Sequence, residues 1–314
     1  MKLRGVIPVL LTPFLDDDSI DERSLRDETD YVIRSGCVAV CVPGFASEHY
    51  KLSDPERYEV ARVVIEQTSG RVPVFVSTGS ESVRSTVDFS RFAEQAGAQG
   101  IMVVPPRWVP LGAEELLRFF EVVCRSVEIP VMLQDADFTG NGLPVGLFIQ
   151  LAERCQNFSF AKLEIVLPGA KCAEILRLSG DRLQVLYGLG GIGLLDGFEH
   201  GMCGIMPGPA LVDLFVEIFR FHDSGRTEEA KSLFYSIIPY LTFSLQHIEL
   251  IINIEKRVLK RRGVFSDARL REPTLHLGVG YERQIEELIG IVLAASLTCS
   301  SQETVGTMPK ILRP

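Results

Sequence analysis

The chain has 314 residues, a formal charge of −9 and a pI near 5.2, with 46% apolar and 23% charged residues. Such a composition is that of an ordinary globular protein; it excludes a disordered, collagen-like or disulfide-stapled chain. The acidic balance argues against nucleic acid or an anionic membrane surface as partner. No apolar stretch reaches the roughly 18 residues of a membrane span. The seven cysteines are scattered, with no CxxC spacing, and no basic-then-apolar leader precedes the first apolar run. These features predict a cytoplasmic protein with reduced thiols.

Along the chain, short Val- and Ile-rich runs alternate with longer stretches of helical period. The first run, 6–11, leads into a helix opened by Ser19-Ile20-Asp21-Glu22, with Leu25, Thr29, Val32 and Ile33 as its core stripe. Run 37–42 precedes a helix whose start is marked by Ser53-Asp54-Pro55-Glu56: an N-cap, a proline in the first turn and acids beside the positive end of the dipole. Runs 72–76, 100–104, 130–134, 158–164, 183–187 and 201–206 follow, with helices predicted at 83–96, 113–127, 144–155, 168–179, 192–200 and 210–223. Continuous apolar runs read as strands covered on both faces. Strand and helix alternating eight times imply a parallel sheet with right-handed crossovers, closed into a (β/α)8 TIM barrel over residues 1–224. From 225 to 297 three helical stretches, 225–244, 245–262 and 281–297, form a C-terminal helical extension packed on the barrel; 298–314 is expected to be loose. The cations at Lys256, Arg257, Lys260, Arg261 and Arg262 read as a solvated helix C-terminus.

In such a barrel the chemistry sits at the C-terminal ends of the strands. The polar residues there are Thr12, the 44–48 segment, Ser77, Thr78, Arg107, Gln134, Asp135, Lys162, Glu164 and the glycines of 188–191. Lys162 and Glu164 lie two apart in one strand and share a face with Phe160. If Phe160 faces the barrel, both point into its mouth, where an apolar setting favours the free amine that attacks a ketone. A lysine pointing outward, or a structural Lys–Glu pair, is the alternative. Metal catalysis fits poorly, because His49, His200, His222, His247 and His276 form no HxH or HxxxH pair. Gly188-Leu189-Gly190-Gly191 does not match a dinucleotide fingerprint and reads as a tight βα turn or a close backbone approach to substrate.

These residues resemble the dihydrodipicolinate synthase / N-acetylneuraminate lyase family of Schiff-base (β/α)8 enzymes. The resemblance is carried by Leu11-Thr12-Pro13, by Gly44-Phe45-Ala46-Ser47-Glu48 in place of a Gly-Thr-Thr-Gly-Glu loop, by Gly79, and by Lys162 at the imine-forming position. It implies that Lys162 is the nucleophile and that backbone N–H groups of Gly44, Phe45, Ala46 and Ser47 hold a substrate carboxylate. It implies no cofactor, no metal, and a homo-oligomer, dimer or tetramer. The sequence also departs from the family. Gln134 stands where a proton-relay tyrosine is expected, Phe45 replaces a relay threonine, Arg107 replaces an inter-subunit tyrosine, and the arginine that binds the synthase substrate is missing from Phe138-Thr139-Gly140. A carboxamide cannot shuttle a proton as a phenol can.

Gln134-Asp135-Ala136, Lys162-Leu163-Glu164 and Ala46-Ser47-Glu48 are similar to the 2-keto-3-deoxy-L-arabonate dehydratase branch, although Asp137 stands where that branch has proline. The resemblance thus implies a lyase dehydrating a 2-keto-3-deoxy sugar acid. Glu164 would serve as acid/base and Gln134, Gly188 and Gly190 as substrate contacts, with Arg107 and Asp135 as further candidates. The alternatives are a 2-keto acid aldolase, with Ser47 or a water replacing the tyrosine, and a barrel that binds a keto acid without turning it over.

Overall fold

The computed structural model describes residues 1–138 and 140–306. Eight parallel strands run in the order β1-β8-β7-β6-β5-β4-β3-β2. They are β1 (Gly5–Val6), β2 (Val40–Val42), β3 (Val74–Ser77), β4 (Gly100–Val103), β5 (Val131–Asp137), β6 (Phe158–Ile165), β7 (Gln184–Tyr187) and β8 (Gly204–Ile205). The predicted first strand shrinks to two residues because Pro8 has no N–H to give the ladder. The β1–β2 seam is closed instead by Val38 N–H to Val6 O, Cys41 N–H to Pro8 O and Leu10 N–H to Cys41 O. The chain is therefore a (β/α)8 barrel, as its patterning predicts. No helix among the described residues is long and apolar enough to cross a membrane.

The crossovers carry α1 (Glu22–Arg34), α2 (Asp54–Thr68), α3 (Val83–Gln95), α4 (Ala113–Cys124), α5 (Val145–Arg154), α6 (Gly169–Ser179), α7 (Leu194–Glu199) and α8 (Val212–Asp223). The first two begin at the signals in the sequence. Asp21 accepts the Ser24 N–H, and Glu56 reaches back to the Ser53 N–H, completing a capping box.

Alternation along each strand divides the core in two. Ile7, Cys41, Phe75, Met132, Phe160 and Leu186 fill the barrel, with the Phe75 and Phe160 rings edge to face at 5.5 Å. Val42, Val76, Val103, Leu133 and Leu163 point outward to the helices. Phe160 thus faces inward, and by the same parity so do Lys162 and Glu164. Strand β5 runs on to Asp137, past its predicted end, because it stays paired with β6 through Gln134–Lys162, Ala136–Glu164 and Asp137–Ile165.

The extension comprises α9 (Thr227–Ser244), α10 (Ile248–Arg261) and α11 (Val279–Gly306). Helix α11 continues through the first part of the segment expected to be loose; the remainder of that segment, 307–314, lies outside the described residues. The cationic cluster is also not simply a solvated helix end. Lys256 is fully buried and donates to the buried Glu48 at 2.5 Å, while Arg262 pairs with Asp213 and Arg257 with Glu282. Glu48 also takes Lys51 at 3.0 Å, and Lys256 also donates to Arg269 O. Removing one partner of a buried pair strands the other's charge. Replacing Lys256 with Met is expected to lower unfolding free energy by about 3 kcal/mol in urea denaturation. Adding Glu48→Gln to that variant is expected to recover part of the loss.

Candidate active site

At the C-terminal end of the barrel, side chains from several strands and from α10 enclose a cavity of about 280 Å³. Lys162 and Glu164 reach it from β6, Phe45 and Ala46 from the loop after β2, and Leu189 and Gly190 from the turn after β7. Lys162 and Glu164 are 3% and 7% exposed, and the Lys162 Nζ lies 3.1 Å from Glu164 Oε1. Gln134 donates through Nε2 to Glu164 Oε2 at 2.6 Å, and the Leu189 N–H donates to Oε1 at 3.3 Å. The Glu164 carboxyl is thus contacted by amine, carboxamide and backbone at once. Gly188 makes this possible: a Cβ there would stand 2.2 Å from Glu164 Oε1. Its own N–H is bonded to Leu163 O, so Gly188 makes room for the carboxyl. Gly190, at φ +60°, adopts a left-handed conformation suited to glycine and lines the cavity itself.

The 44–48 loop is held from several sides. The Ser47 hydroxyl donates to Leu10 O and accepts the Gly44 N–H, while Ser47 N–H returns to Gly44 O and Thr12 donates to Ser47 O. Two of the N–H groups expected to face a substrate carboxylate, those of Gly44 and Ser47, are therefore engaged within the loop. Phe45 and Ala46 face the cavity. The His49 ring packs on Phe45 at 5.0 Å; burial, with help from Arg57 and Arg107, brings its pKa down to about 4, so the neutral ring can donate to Gly44 O through Nδ1.

Arg107 is exposed. Its guanidinium lies over the rings of Phe45 and Phe138, 5.3 and 5.8 Å from their centroids, at the rim of the cavity. Asp135 corrects the expectation that placed it near the substrate. One residue out of phase with Gln134, it points to the helical layer, pairs with Lys171 on α6 and accepts the Leu143 N–H. One acid was missed: Glu255 on α10 lines the same cavity and is only 4% exposed. The sequence does hold a signal for it, since Ile251, Glu255 and Leu259 share one helix face and the acid interrupts an otherwise apolar stripe.

A profile of the dihydrodipicolinate synthetase family matches residues 2–291. The chain belongs to this family. It is similar to the L-2-keto-3-deoxyarabonate dehydratase of Azospirillum brasilense, at 28% identity over 86% of this chain and 88% of that protein. A protein of Escherichia coli K12 whose name describes a 2-dehydro-3-deoxy-D-gluconate aldolase is 35% identical over 49% of this chain and 51% of its own length. The crystal structure of dihydrodipicolinate synthase from Rhodopseudomonas palustris superposes with a TM-score of 0.85 at 25% identity, covering 93% of this chain and 99% of that one. This family member is a lyase.

Burial raises the pKa of Glu255 from the ordinary carboxylate range to about 8. The folded state therefore holds a proton that the unfolded chain releases near pH 4.5. The stabilisation from that proton is complete below the unfolded value and is lost as pH rises through about 8. In thermal melts, Glu255→Gln should differ little from wild type near pH 4 and become progressively more stable than wild type toward pH 9.

Proposed function

We propose that this lyase forms an imine between Lys162 and the ketone of a 2-keto-3-deoxy sugar acid and removes water from it. The observation that carries the reading is the buried 3.1 Å contact between Lys162 and Glu164, with Gln134 bonded to the same carboxyl where a relay tyrosine would otherwise stand. Glu164 takes the surplus proton of the Lys162 ammonium, the freed amine attacks C2, and Glu164 relays the amine's second proton and its own to the carbinolamine oxygen, which leaves as water to give an iminium and restores the carboxylate. The cationic nitrogen acidifies C3. Glu164 takes a C3 proton, and the electron pair forms the enamine C2–C3 double bond. The enamine then expels the C4 hydroxyl, which takes the proton back from Glu164 and departs as the second water. Hydrolysis of the conjugated iminium restores Lys162 and releases the dehydrated keto acid. One carboxyl beside the amine serves every proton transfer, so no phenol is required.

The substrate carboxylate is assigned to the backbone N–H groups of Phe45 and Ala46, since those of Gly44 and Ser47 are bonded inside the loop. Gln134, buried behind the cavity wall, orients Glu164 through its carboxamide. Arg107 supplies a cation at the entrance. The same residues disfavour retro-aldol cleavage: the Ser47 hydroxyl, the candidate replacement for tyrosine, already directs its proton to Leu10 O. The similarity to the dehydratase spans most of both chains, whereas that to the aldolase spans about half.

Borohydride added with a 2-keto acid is expected to leave a reduced adduct on Lys162, found by peptide mass, and none in Lys162→Ala. Incubation with 2-keto-3-deoxy pentonates and hexonates should give a product one water lighter than substrate; pyruvate plus an aldehyde would instead identify an aldolase. Glu164→Gln is expected to lower kcat by about 10²–10⁴-fold.

A further inference from the structure

We propose that Glu255 is a specificity-determining residue whose carboxyl hydrogen-bonds a hydroxyl on the substrate chain beyond the reacting carbons. The proposal rests on the imine reading of the site and extends it to the far end of the ligand.

Glu255 enters the cavity from α10, whereas Lys162 and Glu164 enter from β6; Leu11, Met206, Ile251 and Ile252 line the cavity with it, and Gln246 and His247 at the start of α10 add polar groups. It makes no ion pair among the described residues, because the neighbouring Lys256 is turned to Glu48. Its one hydrogen bond is a long one, accepted from the Ala210 N–H at 3.4 Å. A buried carboxyl with so little satisfaction calls for a further partner, and the adjoining space is the cavity that holds Lys162. The backbone is also shaped around it. A Cβ on Gly208, just after β8, would stand 1.9 Å from Glu255 Oε2, as a Cβ on Gly188, just after β7, would meet Glu164. The cavity therefore contains two carboxyls, each seated on a glycine at the end of a neighbouring strand. The first faces the amine; the second has no cation partner among the described residues.

The chemistry of that second group selects the ligand. Burial raises its pKa to about 8, so at neutral pH it carries a proton and can donate as well as accept. A hydroxyl is its complement. A second carboxylate on the ligand would draw no cation there. A site built to bond a hydroxyl discriminates strongly against an analogue without one, because its own polar group is then left unpaired.

The test compares imine capture of a 2-keto-3-deoxypentonate with that of 2-oxopentanoate, which has the same carbon chain and no hydroxyls. Half-saturating concentrations are read from borohydride-trapped Lys162. Wild type is expected to favour the hydroxylated acid by about 100-fold. Glu255→Leu should lose most of that preference by weakening capture of the hydroxylated acid alone, with capture of 2-oxopentanoate within about threefold of wild type. Glu255→Gln, which keeps a donor and an acceptor, should restore part of it. Equal weakening of both ligands in Glu255→Leu, or an unchanged preference, overturns the proposal. If wild type gives no Lys162 adduct with either acid, the imine reading fails instead. Calorimetric binding of the same two ligands to the same variants then decides the role of Glu255 by the same criterion.

Discussion

A carboxylate and an ammonium without access to water, Glu48 and Lys256, join the end of the β2 loop to the middle of α10. Glu48 is the ion-pair partner of Lys256 among the described residues, and Glu48 itself is shared between Lys256 and Lys51. The Glu48–Lys256 pairing makes one rigid unit of two parts far apart in sequence. Burial lowers the Lys256 pKa while Glu48 and Glu28 oppose that shift, so the pair is a compromise between desolvation and attraction. Around it Lys51, Glu249, Thr274 and the backbone of Arg271 extend the polar web. The consequence for the site is direct. The loop carrying Phe45 and Ala46 and the helix carrying Ile251, Ile252 and Glu255 form opposing parts of one enclosure. The helical extension is part of the site's architecture, and the barrel alone would leave the cavity without that wall.

The proposed chemistry asks for an unprotonated amine, a carboxyl able to move a proton over a short path, and little water. The β5–β6 pairing supplies the second requirement by register: Gln134 lies opposite Lys162, and Ala136, opposite Glu164, has no bulk to displace the carboxyl. The carboxamide then holds the acid in place without competing for its proton. In the proposed chemistry, an amide in place of a phenol removes one relay and hands its proton transfers to the acid next to the amine.

Much of this was legible in the sequence, for physical reasons. Short runs of continuous Val and Ile alternating with helical stretches read as strands covered on both faces, and side-chain alternation makes Lys162 and Glu164 follow Phe160, whichever way it points. Capping signals at Asp21 and Ser53 marked helix starts because they satisfy local backbone groups, and local groups are what a sequence shows best. What escaped depends on distance. Asp135 resembled a site residue because it adjoins Gln134, but adjacency in a strand means opposite faces. Lys256 looked like one cation of a solvated cluster; its partner lies 208 residues away. The acid that interrupts the apolar stripe of α10 marks Glu255 as unusual, but that this face turns toward the strand ends is set by tertiary packing. The engagement of the Ser47 hydroxyl with Leu10 likewise depends on the seam between β1 and β2.

The seats of the two cavity carboxyls have a wider implication. Gly188 and Gly208 act through volume they do not occupy, so the orientation of each acid is written in a neighbour that contributes no functional group. A descendant of this chain could keep every nucleophile and acid and still fall silent through one added methyl. An inventory of reactive residues would pass it as competent. In this barrel, the capacity for chemistry is encoded as much by empty positions as by filled ones.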